Sequence, residues 1–88
     1  MEITQSEGTI GRINRGATVQ FIGKSISGTH LRYRREGDSL LIEDADSTFG
    51  SFQNGQRISG TVTLNVGDHI RLAGEEDVGA LLQLVRLI

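Results

Sequence analysis

Apolar and polar residues take turns along several short stretches of this chain, with a period of two. Thr18-Val19-Gln20-Phe21, His30-Leu31-Arg32-Tyr33, Thr61-Val62-Thr63-Leu64 and His69-Ile70-Arg71-Leu72 all show it. Successive side chains of a strand point to opposite faces, so this pattern sets one face on a core and the other in water. Ser39 to Ile42 is a more continuous apolar run, which suits a strand in the middle of a sheet. Turn signals divide these stretches at Arg15-Gly16, Glu36-Gly37-Asp38, Asn54-Gly55, Ser59-Gly60, Asn65-Val66-Gly67-Asp68 and Ala73-Gly74. Short strands with turns every ten residues or so predict an all-β fold, a twisted antiparallel sandwich.

Asn54-Gly55 is the sharpest local signal. Both residues tolerate positive φ, which predicts a tight hairpin between Ser51-Gln53 and Arg57-Ile58. Val78 to Ile88 is ambiguous by itself: Leu81, Leu82, Leu84 and Val85 fit a helix face, whereas Leu82 and Leu84 fit the alternation of a strand. In an otherwise all-β chain the strand is expected. The chain has no proline, in keeping with paired strands, because proline removes a ladder donor. Nothing in it reads as a repeat or a linker, and residues 1–88 are expected to form one domain.

Composition narrows the function. No run approaches the roughly 18 apolar residues of a membrane span, and the first residues lack the features of a signal peptide. The chain has no cysteine, which excludes disulfides and thiolate metal sites and agrees with an intracellular, cytoplasmic setting. The net charge of −2 argues against a nucleic-acid binder. That charge is uneven: residues 1–35 carry +4 and residues 36–88 carry −6. Solvated strand faces account for such a split, and so does a positive end that attracts an anionic partner. The acidic run Glu75-Glu76-Asp77 reads as a solvated loop.

Several motifs fail on inspection. Gly23-Lys24-Ser25 echoes a phosphate-binding P-loop, but Thr18 stands where the motif needs its first glycine, and no helix follows. Asp44-Ala45-Asp46 starts like a calcium loop, but the glycine comes one place late, at Gly50, and Gly55 replaces the bidentate glutamate. His30 and His69 are too few and too isolated for a metal cage. Ser27 with His30 lacks the nucleophile elbow of a hydrolase. No cofactor, metal site or enzyme activity is indicated.

What remains is an ordered set of short motifs: Gly11-Arg12, Ser27-Gly28-Thr29-His30, Ser47-Thr48-Phe49-Gly50-Ser51, Asn54-Gly55 and Gly67-Asp68 before an apolar strand. They supply one guanidinium, several hydroxyls and glycine turns at expected loops, which is the chemistry that holds a phosphate without reacting with it. Arg12 precedes Ser27 by 15 residues and Thr48 lies 21 further on. Antiparallel strands return their loops to one end of a sandwich, so these three loops are expected to converge there.

This ordered set resembles the forkhead-associated domain, a family of phosphothreonine-peptide readers, from about Thr9 to the C-terminus. The family pattern runs Gly-Arg, Ser-x-x-His, Ser-Thr-Asn-Gly-Thr, Asn-Gly and a closing Gly-Asp. The resemblance implies that Arg12, Ser27 and Thr48 grip the phosphate. It further implies that His30, with Gly11, Gly50, Asn54 and Gly55, supports the binding loops, and that Gly28 and Phe49 lie where a bound peptide passes; Lys24 and Arg15 sit in the same loops, where they are expected to add attraction for the peptide. The expected partner is a phosphothreonine-containing protein or peptide in Ser/Thr kinase signalling, bound by a monomer, with neither nucleic acid nor membrane involved.

Three departures from the pattern stand out. Phe49 replaces the asparagine that bonds the ligand's main chain in the family. Gly28 stands where members often carry a larger, peptide-contacting polar residue. Only ten residues precede Gly11, where the family usually adds an N-terminal strand. Either the sandwich is shortened there, with an exposed edge open to self-association, or the chain is cut from a larger protein. The competing function is a phospho-independent assembly or scaffold domain.

Overall fold

The computed structural model describes residues 1–73 and 80–88. The run Glu75-Glu76-Asp77 and the Gly74 half of the turn at Ala73-Gly74 lie outside the described residues, as do Val78 and Gly79 of the C-terminal stretch. Eleven strands are described: β1 Glu2–Ile3, β2 Glu7–Arg12, β3 Val19–Phe21, β4 Leu31–Glu36, β5 Ser39–Asp44, β6 Ser51–Gln53, β7 Gln56–Arg57, β8 Thr61–Asn65, β9 His69–Leu72, β10 Ala80–Gln83 and β11 Arg86–Leu87. They form a five-stranded sheet ordered β3-β2-β4-β5-β8, a four-stranded sheet ordered β10-β9-β6-β7, and a two-stranded pair β1-β11. The architecture is an all-β sandwich.

The alternation seen in the sequence decides which faces meet. In β4, Leu31 and Tyr33 are buried while Arg32 and Arg34 are exposed; in β9, Ile70 and Leu72 are buried and His69 is exposed. β5 lies between β4 and β8, with Leu40 and Ile42 buried and Leu41 partly so, as its continuous apolar run requires. Ile10, Leu31, Leu40, Ile42 and Leu64 from the larger sheet pack against Ile58, Ile70, Leu72, Leu82 and Leu84. Each such side chain contributes about 1.5–3 kcal/mol on burial. Asn54 and Gly55 make the two-residue turn joining β6 and β7, at φ of 53° and 80°, with Gln53 opposite Gln56.

The C-terminal stretch is extended, with Leu82 and Leu84 buried and Gln83 exposed, and it is divided into β10 and β11. The N-terminus differs from the bare edge the sequence suggested. β1 is only two residues long, but it runs parallel to β11, with Glu2 opposite Arg86 and Ile3 opposite Leu87. Val85 N–H donates to Met1 O at 2.8 Å and Ile88 N–H to Ile3 O at 2.9 Å. Ile3 is buried, so the core holds this short strand where its few ladder bonds do not suffice.

Contrary to the sequence expectation, Gly11 and Arg12 do not lie in a loop; they are the last residues of β2. Moreover, β2 and β3 pair in parallel, with Arg12 opposite Phe21. The loop between them therefore crosses back along the molecule, and both strands finish at the same end. β4 begins there, with Leu31 opposite Ile10, and β5 finishes there, with Asp44 opposite Leu31. Arg12, the 22–30 loop and the 45–50 loop thus converge through one parallel and two antiparallel pairings rather than through antiparallel returns alone.

Candidate functional site

At this end Arg12, Arg15, Lys24, Ser25, Ile26, Ser27, Gly28, Thr48 and Phe49 line an open basin of about 290 Å³. It brings together Arg12, Ser27 and Thr48, together with Arg15, Lys24, Gly28 and Phe49. Among the described residues no carboxylate lines it and none of its three cations forms an ion pair. Asn54 and Gly55 stand outside it, at the hairpin tip.

Its floor is backbone pressed on backbone. Arg12 N–H donates to Ser27 O at 3.0 Å. A Cβ at Gly11 would collide with the carbonyl oxygen of Gly28, so only glycine allows the 22–30 loop to lie this close to β2. Ile26, buried in the core, anchors the same loop from below, and its N–H donates to Gly23 O at 3.2 Å.

His30 joins everything around it. Its main chain donates to Ile10 O and accepts from Ala45 N–H, both at 2.9 Å. Its ring Nδ1 accepts from Ser27 N–H at 3.0 Å, and Nε2–H donates to Gly50 O at 2.8 Å. Because Nδ1 faces an N–H, the ring must be neutral with its proton on Nε2 to make both bonds. Burial lowers the His30 pKa and outweighs the opposing effects of the Gly50 carbonyl and Asp44. The ring is fully buried and does not face the basin.

Asp44 braces the second loop, a role the sequence reading missed when it weighed this residue only as a calcium ligand. Its carboxylate accepts from Ser47 N–H at 2.8 Å, Ser47 Oγ at 2.6 Å and Ser51 Oγ at 2.6 Å. Ser47 Oγ in turn accepts from Gly50 N–H at 2.9 Å. Burial acts to raise the Asp44 pKa, but these serine bonds and the nearby His30 overcome it and hold the carboxyl below its ordinary value. An Asp followed three residues later by Ser, within a turn, was the available signal. Arg57 was also missed: a Cβ at Gly50 would come within 2.8 Å of its Nε, so its guanidinium lies over that glycine.

The two loops are stitched together at the basin itself. Thr48 N–H donates to Ser27 Oγ at 3.1 Å, which uses a lone pair of that hydroxyl and leaves its hydrogen to donate outward. Thr48 is exposed, and Phe49 is 54% exposed at the rim, where it offers an apolar face and no hydrogen bond. A concave set of cations and hydroxyl donors on preorganised loops can bind an anion. It holds no nucleophile–base pair.

Comparison with known proteins bears on the family and the fold. A sequence search of curated proteins found no match. Among solved structures, an FHA domain from work on phosphothreonine-dependent FHA domain interactions is 26% identical with a TM-score of 0.73, covering 92% of this chain and 78% of that one. The FhaA FHA domain, solved in complex with the intracellular domain of Rv3910, is 30% identical with a TM-score of 0.69, covering 78% of this chain and 74% of its own. EmbR from Mycobacterium tuberculosis, solved with a low-affinity phosphopeptide, is 26% identical with a TM-score of 0.68; the match covers 91% of this chain and 20% of EmbR. The model of the FHA domain matches residues 8–73, a span that runs from β2 through β9, and the chain belongs to the forkhead-associated family.

Proposed function

We propose that this chain is a non-enzymatic, phosphothreonine-dependent peptide-binding module that works inside the cell and recruits a partner marked by a Ser/Thr kinase. The observation that carries this reading is the convergence of Arg12, Ser27 and Thr48 on one basin that no carboxylate lines among the described residues. Arg12 is always charged and offers a planar fork that matches two phosphate oxygens. The Ser27 and Thr48 hydroxyls supply further donors. Phosphopeptide and partner complexes of related FHA domains support the reading. Charge-assisted hydrogen bonds contribute about 1.5–3 kcal/mol each, so Arg12→Ala is expected to weaken binding at least tenfold. Calorimetry with phosphothreonine, phosphoserine and unphosphorylated peptides tests it. Equal affinity of Arg12→Ala and the unaltered protein would overturn the mechanism.

Phe49 favours one alternative, a phospho-independent assembly domain. An exposed aromatic ring at the rim suits an apolar partner surface, and it cannot bond a peptide main chain. A partner captured equally well before and after phosphatase treatment supports this second reading over the first.

A further inference from the structure

The basin carries more positive charge than one phosphate uses. Arg12, Arg15 and Lys24 all line it, and none pairs with a carboxylate among the described residues. A phosphothreonine brings about −1.5 to −2 at neutral pH, which leaves roughly one positive charge without a counterpart among the described residues. An unmatched cation in a concave site attracts a further anion and disfavours a ligand that lacks one.

Arg15 is the cation whose placement needs explaining. It comes from the loop after β2, and Gly28 gives it a seat. The point a Cβ would occupy on Gly28 lies 3.1 Å from Arg15 Cβ, 3.3 Å from Cγ and 3.7 Å from Cδ. The aliphatic stem therefore lies flat across the Gly28 backbone, in the space that any side chain at position 28 would take. Gly28 is itself fixed, because its carbonyl rests on Gly11 and the neighbouring Ser27 O accepts the Arg12 N–H. A stem packed on a fixed surface loses less freedom when its guanidinium engages a ligand.

We propose that the peptide bound here carries a second anionic group beside the phosphothreonine, and that Arg15, seated on Gly28, receives it. The inference rests on the phosphothreonine reading above. A carboxylate and a second phosphate share the required chemistry, since each presents oxygens that a guanidinium fork can bind in pairs.

The test uses phosphothreonine peptides that differ only in the neighbouring residue, which is alanine, aspartate or a second phosphothreonine, placed on either side. Calorimetry reads the ratio of affinities between each doubly anionic peptide and its alanine counterpart. For the unaltered protein the ratio is expected to reach about tenfold with the second phosphate and about threefold with aspartate. Arg15→Ala and Gly28→Asn are expected to cut both ratios to within about twofold of one, and Arg15→Lys to keep part of them. A gain with either neighbour that depends on Arg15 supports the proposal, and the arm showing it identifies the source of the charge. Ratios near one in the unaltered protein, or a gain that survives Arg15→Ala, overturn it while the singly phosphorylated peptide still binds. Failure of every phosphorylated peptide to bind removes the phosphothreonine reading and this inference together.

Discussion

Among the described residues, two surface hollows that carry arginines differ in how those arginines are balanced. The larger, of about 530 Å³, lies on the five-stranded sheet, lined by Glu7, Thr9, Arg32, Arg34, Leu41 and Glu43 among others. There Arg32 stands directly across from Glu43 with their charges 3.9 Å apart, and Arg34 lies 3.7 Å from Glu36. The smaller, of about 290 Å³, holds Arg12, Arg15 and Lys24 with hydroxyls and, among the described residues, no carboxylate. Volume alone would choose the sheet face. Charge balance chooses the loop end, because a cation already matched by its neighbour has little left to offer a ligand.

The same contrast resolves the uneven charge along the chain. Arg32 and Arg34 behave as members of a solvated strand face, paired and exposed. Arg12, Arg15 and Lys24 make the positive end. The solvated-face reading fits the first group, and the anionic-partner reading concerns the second.

The largest expected effect that separates the two regions comes from the frame beneath the loops. His30→Ala removes a buried ring, leaves the Ser27 N–H without its partner and leaves Gly50 O with only the Ala73 N–H, so chemical denaturation should record a loss of about 3 kcal/mol. His69→Ala, at an exposed position of β9, should change stability by less than about 0.5 kcal/mol. A similar cost at both sites would mean that the ring does not hold the loops.

A carboxylate placed in each hollow tests the charge argument itself. Ser25→Glu places a carboxylate among the basin's cations and is expected to weaken a phosphothreonine peptide at least tenfold. Thr9→Glu in the larger hollow should change affinity less than about twofold. Equal effects in calorimetry would show that local charge balance does not select the site.

Acidification should act on the loop end through two groups. The His30 pKa is lowered by folding, so the unfolded chain binds more protons below the ordinary value of about 6.5. Its contribution is full above that pH and declines as pH falls toward the folded-state value. Protonation places a hydrogen on Nδ1, where it opposes the Ser27 N–H. The Asp44 pKa is also lowered, so its contribution is present above about 3.9 and is lost as pH falls through the folded-state value. Urea unfolding at stepped pH is expected to show stability falling first below neutrality and again in strong acid. A flat profile between pH 7 and 5 would mean that the histidine does not couple folding to protonation.

The smallest effect belongs to the sheet face. Arg32→Ala and Glu43→Ala, which break an exposed pair, should each change stability by about 0.5 kcal/mol or less and leave peptide affinity unaltered. A larger cost in thermal melts would give that face a structural role beyond a solvated surface.

Much of the sandwich was legible in the residue pattern. Alternation at Leu31-Tyr33 and Ile70-Leu72 specifies a buried face because the strand's own geometry imposes the period. Asn54-Gly55 specifies its hairpin because two consecutive residues must adopt positive φ. The order of Arg12, Ser27 and Thr48 was visible as well, and so was the candidate role of His30. What escaped was long-range. Asp44 looked like a weak calcium motif, because the serines that occupy its carboxylate act only once the loop has folded around it. The N-terminus looked bare, because its partner β11 lies at the far end of the chain.

The sequence by itself determined most of the core-facing positions and most of the turns, and it named the side chains proposed to meet a phosphate. These follow from local geometry: a period of two, a positive φ, a fixed charge. Only the tertiary structure decided that β2 and β3 run parallel, that Arg12, Ser27 and Thr48 share one basin, and that Arg15 lies on Gly28. It also decided that Arg32 is matched by Glu43, whereas Arg12 has no carboxylate partner among the described residues. Those outcomes depend on which distant segments pack together, and the balance of a charge is a property of its neighbours in space rather than of its own residue type.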